Sequence, residues 1–236
     1  MGAVRSGLGF LSWVGAIIIV IALLLKAFVF DMAEVGHNGM APTLLRGERV
    51  LINKRAEPVL GSIAVCRHPT EDGWVVGRVA ATGGMVIDSA GSAVRVDGEP
   101  VVFDEKGKIS FHNADNDQTS TVIWGDEYLG PEPHRIFIDE NGRKSIRKTE
   151  ILDGMLYLLG DHRAYMGQDS RAYGTVDAST CRGTIVFRVT PVDAPPAESA
   201  QANESRGHTV SGIERRLGRF ARRARRPRSG CLVRLS

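Results

Sequence analysis

The chain has 236 residues, 43% of them hydrophobic and 24% charged, with a net charge of +3. That is enough for one packed domain of ordinary size with appendages, and it excludes a disordered or fibrous chain. The charge is unevenly divided, because residues 194–236 carry 10 Arg and 3 Glu, a balance of +7, and residues 1–193 are left at −4.

The first seven residues precede an uncharged stretch, LGFLSWVGAIIIVIALLL, at positions 8–25. Continued through Lys26 to Phe30 it makes 23 residues, about 34 Å as a helix, which spans a bilayer. The apolar run exceeds that of a cleaved signal peptide and no small-x-small cleavage site follows, so an uncleaved anchor over residues 8–30 is expected, with Lys26 snorkelling. Arg5 lies on one side and Lys26, Arg46 and Arg49 on the other, so the distribution of basic residues leaves orientation open.

After Asp31 the pattern becomes short apolar stretches of strand length: RVLIN, SIAVC, WVVGRVAA, AVRV, RIFI, MLYLLG and TIVFRV. Residues 31–190 are therefore read as a mainly β domain, an antiparallel barrel or sandwich, with about 86–155 as an inserted β subdomain. HNADNDQTS (112–120) and DENGRK (139–144) read as long exposed loops or hairpin tips. Cys66, in an alternating apolar strand, reads as a buried small hydrophobe. With Cys181 and Cys231 it makes an odd number of cysteines without a Cys-x-x-Cys pair, which points to no metal site and leaves the redox compartment open. No metal or cofactor is expected.

From Pro191 the sequence is a polar, Pro- and Ala-rich linker expected to be disordered. Beyond it, IERRLGRFARRARR sets Ile213, Leu217, Phe220, Ala221 and Ala224 at helical spacing among arginines. That suits a helix on an anionic lipid surface, and equally a solvated basic tail. Nucleic acid is a poor fit, since base-stacking aromatics are nearly absent.

Four blocks in order carry a resemblance: an anchor followed by GHNGMAPTLLRGERVLINK, then GSIAVCRHP, then WVVGRVAATGG, then LLGDHRAYMGQDSRAYGTV with RGTIVFRV. Across about residues 15–190 the chain resembles type I signal peptidase, a membrane-bound serine endopeptidase with a Ser-Lys dyad. The resemblance implies an amino terminus in the cytoplasm and a β domain on the outer face of the cytoplasmic membrane. It also locates the family's nucleophilic serine at Gly39, immediately before Met40, and its general-base lysine at Gly77, immediately before Arg78. A further family serine falls near Met166 or Gly167.

Glycine supplies neither an oxygen nor an amine, and a hydroxyl attacks an amide only with a base to take its proton. The chain is therefore expected to be catalytically silent, because removing either partner costs on the order of 10⁶ in kcat in a serine protease of another fold. His37, at the position of an oxyanion-hole serine, retains a hydrogen-bonding group there and lines the site with Met40. The resemblance assigns peptide binding by strand addition to Val35 and Gly36 on one edge and to Trp74, Val75 and Val76 on the other. Arg78, Asp161, Arg163, Asp169, Ser170 and Arg171 are expected as ion-paired scaffold beside the site. Thr43 reads as a local backbone hydrogen-bonder. The expected partners are the membrane, and signal peptides of secretory precursors or an active signal peptidase that the chain assists. Two other readings stand beside this one: an active peptidase with an unorthodox or altered dyad, and a membrane-tethered interaction protein acting through its arginine-rich tail.

Overall fold

The computed structural model describes residues 13–24, 28–90, 93–139, 145–165 and 167–190. The expected linker and basic tail, most of the 139–144 loop, Met166 and residues 8–12 and 25–27 of the expected anchor lie outside these. Residues 13–24 form a helix, α1, whose side chains Trp13, Ile17–Ile21, Leu23 and Leu24 are largely exposed. Among the described residues no helix is long and apolar enough to cross a membrane.

The rest is antiparallel β in three sheets, as the alternation of apolar residues demands. The largest has seven strands in the order β1 (Phe30–Glu34), β2 (Arg49–Asn53), β14 (Gly183–Thr190), β3 (Ile63–Arg67), β4 (Trp74–Thr82), β12 (Met155–Leu159) and β13 (Val176–Asp177). A second sheet orders β11 (Thr149–Glu150), β5 (Val86–Ala90), β6 (Ala93–Val96) and β7 (Glu99–Pro100). The third orders β10 (His134–Asp139), β9 (Gln118–Glu127) and β8 (Phe103–Asn113). The inserted segment 86–155 thus contributes two sheets of its own. Its first packs Ile87, Val94 and Val96 against Ala80, Ala81 and Leu159 of the large sheet.

Two apolar clusters position the residue-39 region. Val35, Met40, Leu44 and Val50 are buried together with Ile63, Val76 and Ile185 against them, so the segment leaving β1 folds over β4. Phe111, Val122 and Phe137 of the third sheet close on Ala41 and Leu45 from the other side. Burying side chains such as Met40 and Leu44 stabilises the fold by roughly 2 kcal/mol each.

Two expectations are corrected and one is narrowed. Of the two readings of HNADNDQTS, loop and hairpin tip, the structure has the hairpin tip: β8 and β9 pair through it, Asn113 is buried, and only residues 114–117 turn. The alternation of β8, with charged residues on its outer face, hid it from a search for apolar runs. β1 begins at Phe30, inside the segment read as anchor. Cys66 is buried but is not a free hydrophobe, since it forms a disulfide with Cys181, tying β3 to the turn before β14 across 115 residues.

A cross-link over that separation restricts the unfolded chain strongly. Reduction, or Cys66→Ser with Cys181→Ser, is expected to lower stability by about 2–5 kcal/mol. Denaturant titration with and without reductant measures it; an unchanged midpoint would show the bond absent or without effect.

Candidate active site

His37 has an extended backbone and caps a single 3-10 turn, Asn38–Met40, with its own side chain, whose Nδ1 accepts the Gly39 N–H at 3.0 Å. The Gly39 carbonyl accepts from His162 N at 3.1 Å, so both backbone polar groups of Gly39 are satisfied. Gly39 itself is not among the residues with positive φ. The bend therefore does not need glycine for its backbone. Its side-chain space is nonetheless taken: a Cβ at position 39 would lie 2.8 Å from His37 Nδ1 and 2.9 Å from its Cε1, with Tyr165 at 3.4 Å, so a side chain there would have to move the imidazole. The His37 imidazole occupies the room of a side chain at 39.

The second position is closed too. Gly77 is buried in β4, and a Cβ there would lie 2.8 Å from Leu158 Cβ on β12. That neighbour is an atom fixed to its own backbone and cannot swing away as the end of a flexible side chain would. Beside it, β12 pairs with β4 only from Arg78 to Thr82, and the register breaks between Tyr157 and Leu158. Trp74–Gly77 therefore pairs with β3 on one edge, and on the other no described strand covers it. Val35 and Val76 belong to one apolar cluster, which brings the segment after β1 beside β4. Gly36 is exposed with open space at its Cβ position, Trp74 is half exposed, and Val75 turns to the opposite face, into the core with Cys66.

The scaffold residues Arg78, Asp161, Arg163, Asp169, Ser170 and Arg171 are tied together by hydrogen bonds and ion pairs that reach into neighbouring segments. Arg78 binds Asp161 through Nε at 2.8 Å and Nη2 at 2.6 Å, and donates to the Gly61 carbonyl at 2.7 Å. Such bidentate pairs are strong and directional. Thr43 Oγ1 donates to Asp161 Oδ2 and not to its local backbone, joining the turn after Met40 to the Gly160–Arg163 loop. Asp169 accepts from Gly160 N and from Arg171, Ser170 Oγ accepts from Leu158 N, and Arg163 donates to the Gly160 carbonyl. Gly160 packs so tightly that a Cβ would lie 2.5 Å from the Gly39 carbonyl oxygen. The roles of these six residues are thus to seat one loop on the back of Gly39.

Residues of the inserted segment complete the site, and no sequence motif marked them. Asp115, at the β8–β9 turn, accepts the Asn38 N–H at 2.6 Å and pairs with Arg46 at 3.2 Å; Asn113 accepts from Asn38 Nδ2. Glu127 is buried, and although burial raises its pKa, Arg163 and His134 outweigh that and hold it at about 2. His162 is enclosed by Phe111, Phe137 and Tyr165, and neither ring nitrogen makes a well-formed hydrogen bond. Tyr165 in turn stacks parallel on His37 at 5.9 Å. Among the described residues no serine or threonine hydroxyl hydrogen-bonds a histidine or lysine at Gly39 or Gly77, and no group of His, Cys, Asp and Glu could hold a metal ion.

Residues 10–190 match the family model described as signal peptidase, peptidase S26. Two relatives agree with it. The chain is 24% identical over 182 residues to Signal peptidase I of Bacillus licheniformis, covering 75% of this chain and 86% of that protein. It is 25% identical over 186 residues to Probable signal peptidase I-1 of Synechocystis sp., covering 73% and 78%.

Burial lowers the His162 pKa to about 4, against a weaker upward pull from the Asn38 backbone. The unfolded chain then binds this proton near pH 6.5 and the folded chain only near 4. The stability contributed by neutral His162 is full above 6.5 and lost as pH falls towards 4, on the order of 3 kcal/mol at most. His162→Phe, which keeps the aromatic packing, is expected to flatten the stability profile across that window. Denaturant midpoints between pH 7.5 and 4 test this, and an unchanged slope in the variant would refute it.

Proposed function

The chain belongs to the signal peptidase family, peptidase S26, and on that premise we propose that it is a member that retains the peptide groove and has lost the chemistry. The observation that carries this reading is that both dyad positions are glycines whose side-chain space is filled, Gly39 by His37 and Gly77 by Leu158. A serine at 39 would displace His37. A lysine at 77 would force β4 and β12 apart. With Gly39 N–H already bonded to His37, the backbone donor of an oxyanion hole is engaged as well.

The groove itself asks little of side chains. A peptide added along Val35–His37 and Trp74–Gly77 is held by backbone hydrogen bonds, which survive loss of the dyad. The protein on this reading binds signal peptides or secretory precursors without cutting them, or assists an active signal peptidase. Anchoring by residues 8–30 is supported by the uncharged run at 8–25 and by the exposed apolar side chains of α1. It is further supported by an apolar row on the adjoining sheet, where exposed Met32 and Phe187 flank Leu51. The Cys66–Cys181 disulfide favours an oxidising compartment, which fits a β domain on the outer face of the cytoplasmic membrane. The arginine-rich tail would add attraction to anionic lipid.

Purified protein in detergent is expected to leave a signal-peptide-bearing precursor uncut. A rate comparable to that of an active family member would overturn the reading. The Gly39→Ser, Gly77→Lys double variant is expected to remain silent, with Gly77→Lys alone costing about 1–3 kcal/mol of stability through overpacking. Recovery of cleavage in the double variant would show that the pocket had stayed open.

A further inference from the structure

The hydrogen bond between Gly39 and His37 fixes more than the turn. Because Nδ1 accepts the Gly39 N–H, neutral His37 must carry its proton on Nε2. In this state a peptide carbonyl entering the groove has to take the Gly39 N–H from an acceptor that already satisfies it, and gains little by the exchange. Protonation changes the balance. Nδ1 then bears a proton and cannot accept, so Gly39 N–H and His37 Nδ1–H become two donors side by side, one of them charged.

From this geometry we infer that the bend at His37 and Gly39 is a binding site for the free C-terminal carboxylate of a peptide, opened by protonation of His37. The complement of two adjacent donors with one positive charge is a carboxylate, which accepts both through charge-assisted bonds; a neutral carbonyl does not gain the ion pair. The surroundings allow it. The groups facing His37 are Asp115 from the β8–β9 turn, Arg46 paired with Asp115, Tyr165 stacked on the ring, and His162 beyond Tyr165. Asp115 supports the imidazolium, while its own charge is shared with Arg46 and the Asn38 N–H. Burial pulls the His37 pKa below its ordinary value against a weaker upward pull from Asp115, and a bound carboxylate draws it upward. Gly36, exposed and with open space at its Cβ position, leaves room for the peptide end.

This inference rests on the groove-binding reading and sharpens it. A precursor carries an internal amide at this point, whereas a cleaved signal peptide ends in a carboxylate, so the site prefers products of cleavage over substrates.

The test uses the full-length chain in detergent micelles and one fluorescein-labelled decapeptide ending in alanine, prepared as the free acid and as the amide. The peptide carboxylate is ionised throughout, with a pKa of roughly 3.5. At about pH 5.5 the acid is expected to bind about tenfold or more tighter than the amide, and at about pH 8 the two should differ by less than about threefold. His37→Ala, which frees the Gly39 N–H at every pH, is expected to bind the amide at pH 8 at least as tightly as wild type and to show no pH dependence. Equal binding of acid and amide at both pH values, or discrimination that persists in His37→Ala, would overturn the inference while leaving the groove reading intact. Binding of neither peptide at either pH would overturn both.

Discussion

The site is organised by the peptide group of one residue. Gly39 gives its N–H to the His37 side chain and its C=O to the His162 backbone, and a buried polar group left without a partner there would cost about 1–3 kcal/mol. To make the second bond, the Gly160–Arg163 loop must lie against the turn, which is why Gly160 has no room for a side chain. Holding the loop there requires the buried pairs Arg78–Asp161, Arg163–Glu127 and Arg171–Asp169. Removing one partner from such a pair strands a charge in the interior, so these residues are bound to the fold whether or not any chemistry occurs.

On the proposed reading, that separation of scaffold from chemistry is how a protease architecture persists without its reactive groups. A serine and a lysine are useful only together, and once one is gone nothing in the groove depends on the other. Packing then decides what occupies the space. Interiors close to crystal density do not leave voids, and here an imidazole and a leucine Cβ lie within 3 Å of where the missing Cβ atoms would be. On the proposed reading the peptide edges stand apart from this change, because they present backbone and not side chains. Val35 and Val76 pack in one apolar cluster.

Much of this was legible in the sequence, and what escaped did so for identifiable reasons. The strands β2, β3, β4, β6, β10, β12 and β14 coincide with the apolar runs, and the glycines at 39 and 77 stand out against the motifs around them. β8 and β9 escaped because near the hairpin tip β8 buries only alternate residues and residues 118–121 of β9 are all exposed, leaving polar text that reads as loop or hairpin tip. Asp115, Glu127 and His134 escaped because nothing local distinguishes them; their importance comes from contacts with residues 27 or more positions away. At Gly39 φ is not positive, and its side-chain space is taken by the His37 imidazole, a property of packing that no local rule encodes.

The whole account turns on His37 taking the Gly39 N–H, and nitrogen-detected NMR of ¹⁵N-labelled protein observes that bond directly. At neutral pH the account predicts a neutral His37 with an unprotonated Nδ1, a proton on Nε2, and scalar coupling from Nδ1 to the Gly39 amide. A His37 protonated on Nδ1 at neutral pH, or a Gly39 amide exchanging with solvent as freely as an exposed one, would contradict it.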